Sequence, residues 1–273
     1  MKKKHILTSL FCFVICTSAA QETIDLAKCQ TDIWKLDGLY ESYHTITMNS
    51  NVSSQSELPF ANMLIGKDLF LMGETIHRIK DGMPVRKLSY VSFYDTRRSG
   101  AYSVLNPVSA MVDQKGERLY ARGESIEGFY RRYYVETTDF RTGEVLDSIP
   151  LKTLYWIALT KNDSLYISNY INDGRSNILP DINIIFPDTY ALYLSPRYCG
   201  PYMWLICWSN EYRDFRFYRY DERDKTVKQI TGININGKDS PVEGLLGISN
   251  QFLAYVMPDE KQRKLEVTFY KLK

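Results

Sequence analysis

ANMLIGKDLFLMG (61–73), SAMVDQKGERLYARG (109–123) and YWIALTKNDSLYISNY (155–170) follow one plan: a short apolar strand, a polar turn, then a second strand that opens on an apolar residue. YALYLSPRYCGPYMWLICWS (190–209) and EGLLGISNQFLAYVM (243–257) are weaker copies of it. With Leu69, Leu119, Leu165, Met203 and Phe252 as second-strand anchors, the spacings are 50, 46, 38 and 49 residues. A repeat of this kind decides the architecture before any single strand does, and a period near 40–50 residues is that of a four-stranded propeller blade.

Third strands are read in KLSYVSFYD, RRYYVETTD and RDFRFYRYD, ending at Asp95, Asp139 and Asp221. Each Asp opens a polar turn, because its short carboxylate bonds to backbone amides two residues on. Fourth strands follow as AYSVL, VLDSIPL and VKQITGI, while the third unit, INDGRSNILPDINIIFPD (171–188), looks eroded. The chain ends at LEVTFYKLK without a fourth strand for the last unit. The stretch from Thr23 to Met48 is expected to supply it, since joining the termini removes two raw sheet edges. Beyond the first 20 residues no window sustains a 3.6-residue apolar spacing, and Tyr, Val, Ile and Phe dominate the periodic segments. The expected fold is therefore all-β: a β-propeller of about five four-stranded blades, or six with an atypical N-terminal one, closed by pairing of the terminal segments. A β-sandwich is the alternative.

Lys2, Lys3 and Lys4, the apolar run from Ile6 to Cys16, and Ser18-Ala19-Ala20 read as a secretory signal over residues 1–20. The remaining residues, 21–273, form a single domain, with no Pro/Gly/Ser linker dividing them. The apolar run is too short for a permanent transmembrane helix and no later stretch approaches the roughly 20 residues required. The protein is expected to be exported, periplasmic or extracellular. A lipid anchor on Cys12 or Cys16 is disfavoured by Phe11 and Ile15 standing where small residues are needed.

The formal charge of +2 belongs to the leader: without Lys2, Lys3 and Lys4, 31 basic residues face 32 acidic ones, a charge of −1. A near-neutral chain has no global field to draw it to nucleic acid. The basic-aromatic runs YRRYYV (130–135) and FRFYRY (215–220) are better read as solvent-facing outer strands with Arg stems over Tyr rings. Cys29, Cys199 and Cys207 are the disulfide candidates of an oxidising compartment, with three buried thiols the competing reading.

The signal, the KDLFLMG, ERLYARG and DSLYISN second strands and the FYDTRRSG and FYRYDERDKT hairpins resemble the secreted TolB-like or six-bladed β-propeller proteins of Bacteroidetes. The resemblance covers most of residues 60–273 and implies a fold and a compartment rather than an activity. Asp147-Ser148-Ile149 and Asp163-Ser164-Leu165 are similar to the short Asp-Ser/Thr-apolar sites at which such bacteria glycosylate exported proteins.

No HExxH, CxxC, G-x-S-x-G, Walker-type loop or G-x-G-x-x-G occurs. No catalytic residue, metal or cofactor is assigned, and His44 and His77, the two histidines after the leader, lack partner spacing. Asp68, Glu117, Asp163 and Asp181 recur near second-strand starts, where water-facing turns favour carboxylates. YMWLICW places Tyr202, Trp204, Ile206 and Trp208 on one strand face and Met203, Leu205 and Cys207 on the other, both suited to a core. Trp208 and Tyr212 are the ligand-binding candidates, at a rim where they could stack on a sugar ring. The expected function is binding or scaffolding of a protein or glycan through loops at one face. The alternatives are a glycan- or peptide-acting enzyme with carboxylates in the axial channel, and a truncated propeller without activity.

Overall fold

The structure, a computed structural model, describes residues 22–36, 38–49, 63–72, 75–87, 102–127, 130–153, 155–169, 182–186, 192–193, 196–209, 214–259 and 261–273. Residues 1–20 and Tyr212 therefore lie outside the described residues. Among the described residues the regular elements are strands, apart from 3-10 turns at Leu26–Lys28 and Val242–Gly244.

The chain opens with three strands, β1 (Glu22–Asp25), β2 (Gln30–Lys35) and β3 (Tyr40–Asn49). It then builds sheets in succession. The first comprises β4 (Met63–Ile65), β5 (Leu69–Met72), β6 (Thr75–Arg78) and β7 (Pro84–Lys87) in antiparallel order. The second comprises β8 (Tyr102–Val112), β9 (Arg118–Glu127), β10 (Tyr130–Asp139) and β11 (Val145–Leu151). A third group pairs β12 (Tyr155–Leu159) with β13 (Leu165–Asn169), and β14 (Ile182–Ile185) with β1 in parallel.

The fourth sheet contains β15 (Leu192–Tyr193) and β16 (Arg197–Cys199), both against β17 (Tyr202–Ser209), then β18 (Asp214–Asp221) and β19 (Thr226–Ile235). β2 and β20 (Lys238–Pro241) flank β19. The fifth sheet runs β21 (Leu245–Ile248), β22 (Phe252–Asp259), β23 (Lys264–Leu272) and β3.

All five anchors lie on the second strand of their sheets, β5, β9, β13, β17 and β22. The turn aspartates at 139 and 221 behave as their chemistry dictates: the Asp139 carboxylate accepts the Thr142 amide at 2.7 Å, and Asp221 accepts the Arg223 amide at 3.0 Å. Three expectations need correction. The third strand of the first sheet is β6 and the fourth is β7; of KLSYVSFYD only Lys87, the end of β7, lies within the described residues. Asp81-Gly82 makes this hairpin, with Gly82 at φ 69° and the Asp81 carboxylate accepting the Met83 amide. Next, AYSVL does not complete the first sheet, because Tyr102–Val112 runs on as the inner strand of the second and pairs with β9. Lastly, β18 is an interior strand: Phe217, Tyr218, Arg219 and Tyr220 are buried, so FRFYRY is not a solvent-facing edge.

The N-terminal segment pairs more widely than one missing strand requires. β1 lies on β14, β2 on β19, and β3 antiparallel on β23, with Ile46 opposite Val267. Trp34 of β2 is 1% exposed and meets Tyr40, Tyr202 and Trp204 at ring separations of 5.8, 5.9 and 4.8 Å. Such edge-on aromatic contacts add about 0.5–1.5 kcal/mol each beyond burial. Asp32 pairs with Lys228 at 2.9 Å, and the Glu22 carboxylate accepts the Tyr220 hydroxyl and the Lys225 ammonium.

Apolar clusters join each sheet to the next. Leu64, Leu71 and Ile76 of the first meet Leu119 and Ala121 of the second, and Tyr120 and Val135 meet Ile157 and Leu159 of the third group. Ala158, Ile24 and Ile184 meet Met203, Leu205 and Cys207 of the fourth sheet, whose other face, Tyr202, Trp204 and Ile206, joins Leu253 and Val267 of the fifth. The fifth returns to the first, with Phe269 and Phe70 centroids 5.3 Å apart. Period-two alternation in YMWLICW thus fills two different cores.

Candidate functional site

The inner strands β4, β8, β12, β16 and β21 converge, and their ends line one cavity of about 40 Å³. Each sheet sends residues to it: Ile65 from the first, Asp113 and Gln114 from the second, Thr160 and Asp163 from the third, Arg197 and Tyr198 from the fourth, Ser249 and Asn250 from the fifth. Three of the contributions come from the turns that follow β8, β12 and β21, and the other two from β4 and from the start of β16.

Asp113 is 8% exposed, and one of its oxygens accepts the Glu117 and Arg118 amides at 2.7 and 3.1 Å. This closes the β8–β9 turn. Asp163, at φ 59°, accepts the Gln114 amide at 2.8 Å and so ties the third group to the second. The left-handed backbone at 163 is a conformation Asp tolerates through its local hydrogen bonding. Asn250 belongs to the β21–β22 turn, where the Ser249 hydroxyl accepts the Phe252 amide at 3.0 Å.

Arg197 differs from these. It stands on β16 opposite Trp204, and its guanidinium donates one hydrogen bond, at 3.1 Å, to the Met63 carbonyl on β4. Burial alone pushes its pKa down to about 10, a sign of a desolvated cation that remains protonated at neutral pH. No carboxylate pairs with it among the described residues.

A second, larger cleft of about 390 Å³ lies between the first two sheets, lined by Lys67, Asp68, Glu117, Asp139, Phe140 and Arg141. It brings together Asp68 and Glu117, two of the recurrent carboxylates, but on exposed turns with basic neighbours of opposite charge. Asp181, the fourth of that set, lies outside the described residues. His77 is half-buried: Phe70 stacks on it at 5.2 Å, its Nδ1 is 3.0 Å from the Gly82 carbonyl, and burial holds its pKa down. Neither His77 nor His44 lines the first cavity. Among the described residues no three His, Cys, Asp or Glu side chains group as metal ligands, and no helix is long and apolar enough to cross a membrane.

Trp208 sits on β17 in register with Phe215 and Leu192. At about 3.3 Å per residue it lies roughly 20 Å along the strand from Tyr202, toward the opposite end from the inner-strand turns. Its candidate partner Tyr212 lies outside the described residues. No disulfide joins Cys29, Cys199 and Cys207. Cys199 belongs to the core between the fourth and fifth sheets, where the Tyr40 hydroxyl bonds to its sulfur, while Cys207 is on the other face and Cys29 packs against its cluster. The residue that sequence reasoning missed is Arg197: SPRYCGP carries no motif, and only the convergence of five strands gives that arginine its setting.

No family model matches the chain, and no curated protein matches it. Among solved structures, one designated an exported protein from Bacteroides fragilis aligns over 92% of this chain and 99% of its own, at 8% identity and a TM-score of 0.39. An arabinanase from Bacillus subtilis aligns over 83% of this chain and 96% of its own, at 8% identity and a TM-score of 0.34.

Proposed function

We propose that this chain is an exported five-bladed β-propeller that binds a ligand at the end of its axis where the inner-strand turns meet. The cyclic packing of the sheets supports the architecture: the first, second and fourth sheets and the third group each bury both faces, and the fifth contacts the first again. A two-layer sandwich needs only one buried face per sheet. Five is favoured over six because the N-terminal segment is shared among the third, fourth and fifth units. Export rests on the leader composition of residues 1–20.

The observation that carries binding is a half-buried, singly hydrogen-bonded Arg197 lining a cavity to which five of the six described sheets contribute. Convergent polar groups in a concave site are the usual mark of ligand recognition. Binding is preferred to glycan cleavage for two reasons. Asp113 and Asp163 each commit an oxygen to backbone amides. A cavity of about 40 Å³ is small for a sugar ring held between two carboxylates, the arrangement catalysis requires.

The test is a glycan and peptide panel presented to the protein lacking residues 1–20, with product release measured in parallel. The reading expects a retained, unprocessed ligand whose binding is lost in N250W, which adds bulk to the cavity lining, and kept in W208A. Product release abolished by D113N or D163N would establish the enzyme instead; binding lost in W208A but kept in N250W would move the site to the opposite end.

A further inference from the structure

We infer that the axial cavity accepts the carboxylate of a hydroxy acid, with Arg197 as its counter-ion and Asp113 and Asp163 accepting hydrogen bonds from the adjacent hydroxyls. The inference deepens the axial-binding reading above and rests on it.

A guanidinium carries five N–H donors in a planar fork that matches a carboxylate through two parallel bonds. Arg197 uses one donor, on the Met63 carbonyl, and among the described residues no acid neutralises it. Arg197 is half-buried, and a partly desolvated charge is ordinarily paired, because leaving it uncompensated is costly. That cost is tolerated where the missing partner arrives from outside. The depressed pKa of Arg197 has burial as its cause, consistent with a cation set into the wall without a counter-ion.

The remaining lining chooses among anions. Asp113 and Asp163 face the same cavity, so a doubly charged phosphate meets two like charges, whereas a carboxylate carries one. Each aspartate uses a single oxygen for the turns, leaving the other as an acceptor. Hydroxyls next to a carboxylate supply the matching donors. A cavity of about 40 Å³ suits the carboxylate itself and leaves a ring or chain outside it, with Thr160 and Asn250 among the polar lining. Two sources offer this chemistry, a uronic acid of a glycan and a free small hydroxy acid.

The experiment titrates the protein lacking residues 1–20 with glucuronate, lactate, glucose and inorganic phosphate at pH 7, reading calorimetric affinity and melting temperature. Glucuronate or lactate should bind and raise the melting temperature, while glucose and phosphate bind at least tenfold more weakly; which of the two acids binds tighter identifies the source. R197M should weaken the bound acid at least tenfold, and D163N should weaken it several-fold without affecting acetate. Unliganded R197M should still melt cooperatively, since the half-buried Arg197 gives the fold one hydrogen bond, to Met63, and this shows that the variant folds. Absence of stabilisation by either acid overturns the inference, as does equal affinity in R197M or for phosphate. A neutral ligand from the panel that binds in an N250W-sensitive, R197M-indifferent manner sinks this inference while leaving axial binding intact.

Discussion

Gly116 shows how tightly adjacent sheets meet. It sits at φ 71° in the β8–β9 turn, and a Cβ there would lie 2.2 Å from the Lys67 nitrogen and 2.6 Å from the Gly66 carbonyl carbon. Backbone against backbone cannot give way as a side-chain tip can. We expect G116A to lower unfolding free energy by about 2 kcal/mol or more, from the left-handed conformation and the clash together, measured by urea denaturation. The cysteines provide a second residue-scale prediction. Burial pushes the Cys199 thiol up to about 12 and also raises that of Cys29, which is only half-buried. In the native protein at pH 8, Cys199 and Cys207 should resist alkylation, Cys29 should react slowly, and all three should react in urea; fast native labelling of Cys199 would contradict its burial.

At the scale of elements, the N-terminal strands are held by titratable contacts. The Tyr220 hydroxyl, opposed in part by burial and helped by Lys225, holds the Glu22 carboxyl below its usual range. The hydrogen bond from Lys228, again with some opposing burial, does the same for Asp32. A folded-state pKa below the unfolded value means that the contribution is complete above the unfolded pKa and vanishes as pH falls through the lowered one. Both groups are substantially solvated, so each contact contributes modestly. His77 adds to the trend from higher pH: held neutral by burial, it opposes protonation below the ordinary histidine range. Acidification from pH 7 to pH 3 should therefore lower stability. Hydrogen exchange should show β1 and β2 opening before β22 and β23, which join through a long antiparallel ladder in the apolar core. Uniform opening of all four strands would refute the order.

For the whole molecule, the repeat was legible because five inner and second strands carry the same apolar-turn-apolar signal. The second strands all appear where the anchors Leu69 to Phe252 place them. The failures share a cause. Both the third strand of the first sheet and the pairing of Tyr102–Val112 depend on which neighbour a strand chooses, and alternation alone does not encode a neighbour. Asp81-Gly82 was the local signal that could have separated β6 from β7. Similarly, β18 has the composition of an edge but is enclosed by β17 and β19, where Arg219 stacks 4.4 Å over Tyr202 and 5.3 Å over Trp34.

The sequence by itself determined an all-β chain, the second strands at the repeat anchors, the aspartate-led turns at 139 and 221, and the two apolar faces of β17, because period-two patterning and turn chemistry are local properties. Only the tertiary structure decided that the N-terminal strands serve three sheets, that Cys199 and Cys207 occupy different cores, and that Arg197 meets Asp113 and Asp163 at one cavity. Those relations join residues far apart in the chain, and they exist only once the sheets have packed against one another.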